Sequence, residues 1–184
     1  MNRLLNRYLE YVKKEGKVEL GITNVMEVPR IMKVKLNCGI GGFRDNREAV
    51  DSFVEELTNI AGQKPYMRKA KKSEAGFKIK QGEIVGYSVT LRGDKMWAFL
   101  DKLINIALPR VRDFRGMSEN SFDENGNYSV GIKEHVIFPE VNQNVTKGIR
   151  SLQATIVFNS SDKDKTKKVL KGLGFPFRKD DKSE

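Results

Sequence analysis

Residues 86–109, GYSVTLRGDKMWAFLDKLINIALP, change periodicity midway. In the first eight, Tyr87, Val89 and Leu91 alternate with Ser88, Thr90 and Arg92, the period of two that marks a half-buried strand. From Asp94 onward, Met96, Trp97, Leu100, Leu103, Ile104 and Ala107 recur at helical spacing, with Asp94 as the expected cap and Pro109 just beyond the end. A strand with one apolar face running into a helix with one apolar stripe calls for a sheet covered by helices.

The same grammar extends in both directions. In VPRIMKVKLNCGIGG (28–42), Met32, Val34 and Leu36 are expected inward, and Lys33, Lys35 and Asn37 outward. Asp45 and Glu48 form a capping pattern ahead of Val50, Phe53, Val54, Leu57, Ile60 and Ala61, and Gly62 stops that helix. QKPYMRKA (63–70) begins another extended segment. SFDENGNYSVGIKEHVIF (121–138) reads as a hairpin, because Asn125-Gly126 suits a type I′ turn. RSLQATIVFN (150–159) is a strand with Leu152, Ala154, Ile156 and Phe158 inward and Gln153 and Thr155 outward. Ser161 and Asp164 are expected to cap a lysine-rich helix carrying Val169, Leu170 and Leu173. At the start, Leu4, Leu5, Tyr8, Leu9 and Val12 outline an amphipathic helix without the continuous apolar core of a signal peptide. The expectation is one α+β domain over 1–184. It has a mostly antiparallel sheet, helices on one face, a polar face on the other and a frayed tail at 178–184.

Composition narrows the function. The chain has 184 residues, 39% hydrophobic and 32% charged, with net charge +10 and a pI near 9.6. Apolar runs stay far below the ~20 residues needed to span a bilayer, so a cytoplasmic protein is expected, with nucleic acid as the partner of a surface this basic. Residues 67–82, MRKAKKSEAGFKIKQG, hold six Lys or Arg against one Glu, half of the surplus charge. They are expected to project as a basic loop. Catalysis lacks its usual materials: His135 is the sole histidine and Cys38 the sole cysteine, which leaves no zinc set and no cofactor or metal site. CGIGGF (38–43) matches neither dinucleotide nor P-loop spacing, and DENGN (123–127) has its glycine misplaced for a calcium loop. Aromatic residues on the strands fall largely on inward positions, so stacking of bases on the sheet is not expected.

Together VMEVPRIMKVKLNCGIG (25–41), AGQKPYMRKAKKSEAGFKIKQGEIVGYSVTLRGDKMWAFLDKL (61–103), ALPRVRDFRG (107–116), SFDENGNYSVGIKEHVIFPE (121–140) and GFPF (174–177) carry a resemblance. From about residue 20 to Phe177 the chain resembles the bacterial-type large-subunit ribosomal protein L five family, the carriers of 5S rRNA. The resemblance implies a non-enzymatic component of the central protuberance. Its 5S rRNA contacts would come from the N-x-G-x-G, G-Q-K-P and T-L-R-G motifs: Asn37, Gly39, Gly41, Gln63, Lys64, Pro65, Thr90, Leu91, Arg92 and Gly93, with Lys33 and Lys35 on the same face. The basic loop, with Lys71, Lys72, Ser73, Ala75, Gly76, Phe77, Lys78 and Lys80, would reach P-site tRNA. Glu74 stands where the family usually has an apolar residue. Arg110, Arg112, Arg115 and the KEHVIFPE segment (133–140) would be the places for contact with 23S rRNA and a small-subunit head protein, and neighbouring central-protuberance proteins are further implied partners. The alternative is a free-standing RNA-binding or RNA-remodelling protein.

Overall fold

The computed structural model describes residues 2–14, 16–22, 24–142 and 146–178. The tail beyond 178, expected to be frayed, lies outside them. In chain order the main elements are α1 (Arg3–Lys14), α2 (Gly16–Leu20), β1 (Ile31–Gly39), α3 (Arg47–Ala61), β2 (Tyr66–Lys69), β3 (Ile84–Leu91), α4 (Gly93–Lys102), β4 (Tyr128–Ile132), β5 (Leu152–Phe158) and α5 (Lys163–Gly172). The five strands form one sheet in the order β2-β3-β1-β5-β4. Tyr66 lies opposite Ser88 in the antiparallel β2–β3 pair. Bonds at the strand ends run the same way elsewhere: Ile40 N–H to the Val85 carbonyl, Asn159 N–H to the Arg30 carbonyl, and Phe158 N–H to the Asn127 side chain, each at 3.1 Å. The α+β antiparallel architecture expected from the periodicities is the one observed.

Contacts group the chain into two compact units. The first comprises Met1–Val34, Arg92–Val130 and Thr155–Glu184. Here α1 packs on α4, with the Tyr8 and Trp97 rings 5.4 Å apart and Arg3 bonded to Asp101 at 3.0 Å. α1 buries Leu4, Tyr8, Tyr11 and Val12, whereas Leu5 is half-buried and Leu9 exposed, so the stripe is rotated from the expected one. Met32, expected inward, is 51% exposed, and Ile31 beside it is buried. The period of two fails at that strand end. α4 adds a buried Phe99 to the expected stripe, then continues as a π-helical turn over Leu103–Ala107 and a 3-10 turn over Leu108–Arg110 containing Pro109.

Three local signals in this unit were misplaced by a residue or two. Asp94 lies inside the first turn of α4, whose N-cap is Arg92 without a side-chain bond. α5 is capped by Asp162, which accepts from the N–H groups of Asp164 and Lys165. The hairpin expected over 121–138 shrinks to a single Phe122–Tyr128 bridge. Its turn is not type I′, because Gly126 has φ +69° but Asn125 is not left-handed. Asp123 builds the turn instead, accepting from the backbone of Asn125 at 2.9 Å and of Asn127 at 2.8 Å, and β4 takes β5 as its partner. Burial alone would raise the Asp123 carboxyl, but these bonds and the Asn127 side chain hold it below its usual range.

The second unit comprises Lys35–Leu91 and Gly131–Ala154. The apolar face of α3, Ala49, Val50, Phe53, Leu57, Ile60 and Ala61, is buried, with Leu36 and Cys38 of β1 and Tyr87, Val89 and Leu91 of β3 as the buried side of the sheet. Gly62 ends the helix in the left-handed conformation, φ +64°, and donates to the Thr58 carbonyl at 2.8 Å. The cap is Asn46, whose side chain accepts from Ala49 N–H at 3.1 Å, and not Asp45. Gly86 on β3 has a steric reason: an added Cβ would lie 2.5 Å from the Cys38 carbonyl oxygen.

Two stability predictions separate these readings by denaturant unfolding. Asn46→Ala should cost about 1 kcal/mol, the usual value of an N-cap, while Asp45→Ala should leave the midpoint near wild type. Gly86→Ala should destabilise by about 1–3 kcal/mol through overpacking. A wild-type midpoint for Gly86→Ala would show that β1 and β3 do not approach this closely.

Candidate nucleic-acid interface

The second unit gathers most of the residues singled out from the sequence. Lys35, Asn37 and Gly39 are exposed on β1, Gly41 in the turn after it, and Gln63 and Lys64 in the exit from α3. Ser88 and Thr90 are half-buried on β3, between the buried Tyr87, Val89 and Leu91. Two expected contact residues turn away: the Leu91 side chain is 0% exposed and Pro65 is buried, so only their backbone or ring edge could meet a ligand. In the first unit Lys33 is half-buried on β1, and Arg92 and Gly93 are exposed at the start of α4. Arg110, Arg112 and Arg115 are exposed in the segment that follows α4. Within 133–140, Lys133, Glu134, Pro139 and Glu140 are exposed, while His135, Ile137 and Phe138 are core.

Residues 70–83 join β2 to β3 and carry their own hydrogen bonds. Glu74 and Ile79 exchange backbone bonds at 2.9 and 3.1 Å around a 3-10 turn at Ala75–Phe77, and Lys78 is left-handed at φ +52°. Ser73 Oγ accepts from Gln81 N–H at 2.9 Å. Arg44, which the sequence reading passed over, donates from Nη2 to the Lys78 carbonyl at 2.7 Å. Lys71, Lys72, Ser73, Ala75, Gly76, Lys78 and Lys80 are all exposed, and Phe77 stands 74% exposed without packing the loop. Glu74 enters no ion pair among the described residues, nor do Lys35, Lys64, Lys71, Lys72, Lys78 and Lys80.

Some lysines elsewhere are already paired. On α5, Lys165 faces Glu27 and Asp162, and Lys167 and Lys171 both bond Glu119. The Lys167 hydrogen bond is the main cause that holds the Glu119 carboxyl below its ordinary range. The sequence shows lysines in both places; only the fold shows which are neutralised.

The two groups that could suggest catalysis are disabled. The Cys38 thiol is buried and its pKa is pushed up to about 12 by that burial. His135 is 0% exposed, and both ring nitrogens are committed, Nε2 to Glu56 at 2.8 Å and Nδ1 to Arg150 N–H at 3.1 Å. Because the backbone N–H must donate to Nδ1, Nε2 carries the proton and donates to Glu56. No group of three or more metal-ligating side chains occurs among the described residues. With its pKa raised, Cys38 is a thiol at neutral pH. A disulfide reagent should therefore label it slowly in the native protein and rapidly in denaturant; fast native labelling would contradict the burial.

Known proteins give this geometry its context. Residues 24–80 match the family described as ribosomal protein L5, and residues 84–177 match the ribosomal L5P family C-terminus. The "Large ribosomal subunit protein uL5" of Moorella thermoacetica is 45% identical over 178 residues, 97% of this chain and 99% of that one. Those of a Psychrobacter species and of Dichelobacter nodosus are each 48% identical over 178 residues, 97% of this chain, covering 100% and 99% of theirs. A family match through both halves, with relatives aligned almost end to end, places the chain in the ribosomal protein L5 family, as a structural and non-enzymatic component of the large ribosomal subunit.

Proposed function

We propose that the outward side of β1 and β3, with the adjoining turns, binds 5S rRNA in the central protuberance, and that the 70–83 loop contacts P-site tRNA. The observation that carries the first part is the pair Gly39 and Gly41. Neither has a positive φ, and a Cβ at either would meet nothing within 4 Å. The chain's own packing makes no demand for glycine there. A backbone lying flat against the two positions does, and the neighbouring Lys35, Asn37 and Thr90 supply a cation, an amide and a hydroxyl for phosphate and sugar. The unpaired loop lysines, beside an exposed Phe77, support the second part. The exposed arginines 110, 112 and 115 and the exposed ends of 133–140 are the surfaces we assign to 23S rRNA and to the small-subunit head. Such a protein works in the cytoplasm, on the ribosome.

The test is direct binding to 5S rRNA. Asn37→Ala and Thr90→Ala should each weaken it by about 1–3 kcal/mol, since a polar partner on the RNA is left unmatched. Gly39→Ala should weaken it while leaving the melting temperature near wild type. Log K should fall with log salt by about 0.7–0.9 per phosphate contact. Wild-type affinity in a folded Asn37→Ala, Thr90→Ala double variant would refute the assignment.

The loop has a separate readout. Replacing 72–78 by a short Gly-Ser link should leave melting temperature and 5S rRNA affinity close to wild type, because these side chains are exposed. Ribosomes carrying the variant should release P-site tRNA faster. Loss of 5S rRNA binding instead would move the loop into the 5S site.

A further inference from the structure

Strand aromatics were expected to fall largely on inward positions, and Tyr66 of β2 is an exception. All four residues of β2 are exposed, and Tyr66 is 69% exposed. Its register partner is Ser88, so its ring projects on the side of Ser88 and Thr90, away from the buried Tyr87, Val89 and Leu91. Arg68 lies with its guanidinium carbon 5.4 Å from the Tyr66 ring centroid, and its Nε donates to Ser88 Oγ at 2.7 Å. The arginine is thereby held between the strand and the ring. Tyr66 makes no ring–ring contact among the described residues, which leaves a flat apolar surface in water at the edge of the polar side of the sheet.

What such a ring would take follows from its surroundings. The outward positions of β1, β2 and β3 in this unit include Lys35, Asn37, Arg68, Ser88 and Thr90, and none is acidic. A ring bordered by cations, an amide and hydroxyls suits a nucleobase attached to a phosphodiester better than an apolar side chain. Within a duplex the base faces are already stacked, so the fitting ligand is an unpaired base of a loop or bulge. We propose that Tyr66 stacks an unpaired base of the bound RNA, with Arg68 held by Ser88 as the orienting layer. This rests on the 5S rRNA reading above and names a recognition element within it.

Affinity for labelled 5S rRNA is measured for the full chain and for Tyr66→Ala, Tyr66→Phe and Asn37→Ala, with melting curves to confirm folding. One base–aromatic stack corresponds to about 5- to 150-fold, so Tyr66→Ala should weaken binding within that range. Tyr66→Phe, which keeps the ring, should stay within about twofold. Ultraviolet crosslinking of the wild-type complex should join a peptide containing Tyr66 to a single unpaired nucleotide. If Tyr66→Ala binds like wild type while Asn37→Ala is weakened, the stack is overturned and the sheet-face reading survives. If Tyr66→Phe falls as far as Tyr66→Ala, the hydroxyl and not the ring makes the contact, which also overturns the stack. Unchanged binding in both Tyr66→Ala and Asn37→Ala removes the stack and the sheet-face reading together.

Discussion

The second unit depends on burying only one side of its sheet. Leu36 and Cys38 of β1 and Tyr87, Val89 and Leu91 of β3 are at most 5% exposed, and α3 presents a buried apolar face. Because side chains alternate along a strand, fixing this side fixes the other. Lys35, Asn37, Ser88 and Thr90 arrive outward as a consequence, and a slip of one residue would bury lysine and expose leucine. The close approach at Gly86, where even a methyl would meet the Cys38 carbonyl, leaves little freedom for such a slip.

Charge is divided by the same logic. Lys165, Lys167 and Lys171 of α5 meet Glu27, Asp162 and Glu119, whereas the lysine side chains of 70–83 form no ion pair among the described residues. Exposed ion pairs contribute little to stability, of order 0–1 kcal/mol. Their larger effect is on the field: the carboxylates beside Lys165, Lys167 and Lys171 offset those charges, whereas the loop lysines and Lys35 of β1 have no acid set against them among the described residues. The paired Glu119 carboxyl is held below its ordinary range, chiefly by the Lys167 hydrogen bond.

His135 shows how a residue can be notable in the sequence for the wrong reason. As the sole histidine it argued against catalysis by scarcity. In the fold it is a buried tie: Glu56 of α3 accepts from its Nε2 and from Thr146 Oγ1 at 2.6 Å, and the Arg150 backbone closes on its Nδ1. Arg150 in turn lies 3.7 Å from the Phe43 ring centroid and donates to the Lys147 carbonyl at 2.8 Å. Residues 43, 56, 135, 146 and 150, distant in sequence, hold the segment after β4 to the helix that covers the sheet.

Much was legible in the sequence because its determinants are local. Period-two and helical spacings placed β1, β3, β5, α3, α4 and α5, and the outward Lys35, Asn37 and Thr90 followed from parity alone. The motif order was enough to suggest the family before any coordinates. Caps were misread at Asp45 and Ser161 because a neighbouring residue has an equally suitable side chain and the backbone angle decides which one accepts the bond, and at Asp94 because α4 starts two residues earlier, at an N-cap without a side-chain bond. Tertiary structure alone decided the rest. Met32 was left exposed despite its parity, and Tyr66 was placed on the outward side of an edge strand beside Arg68. Those outcomes depend on which elements cover a residue and which strand lies opposite it. Both are set by long-range packing, for which a strand's own alternation carries no information.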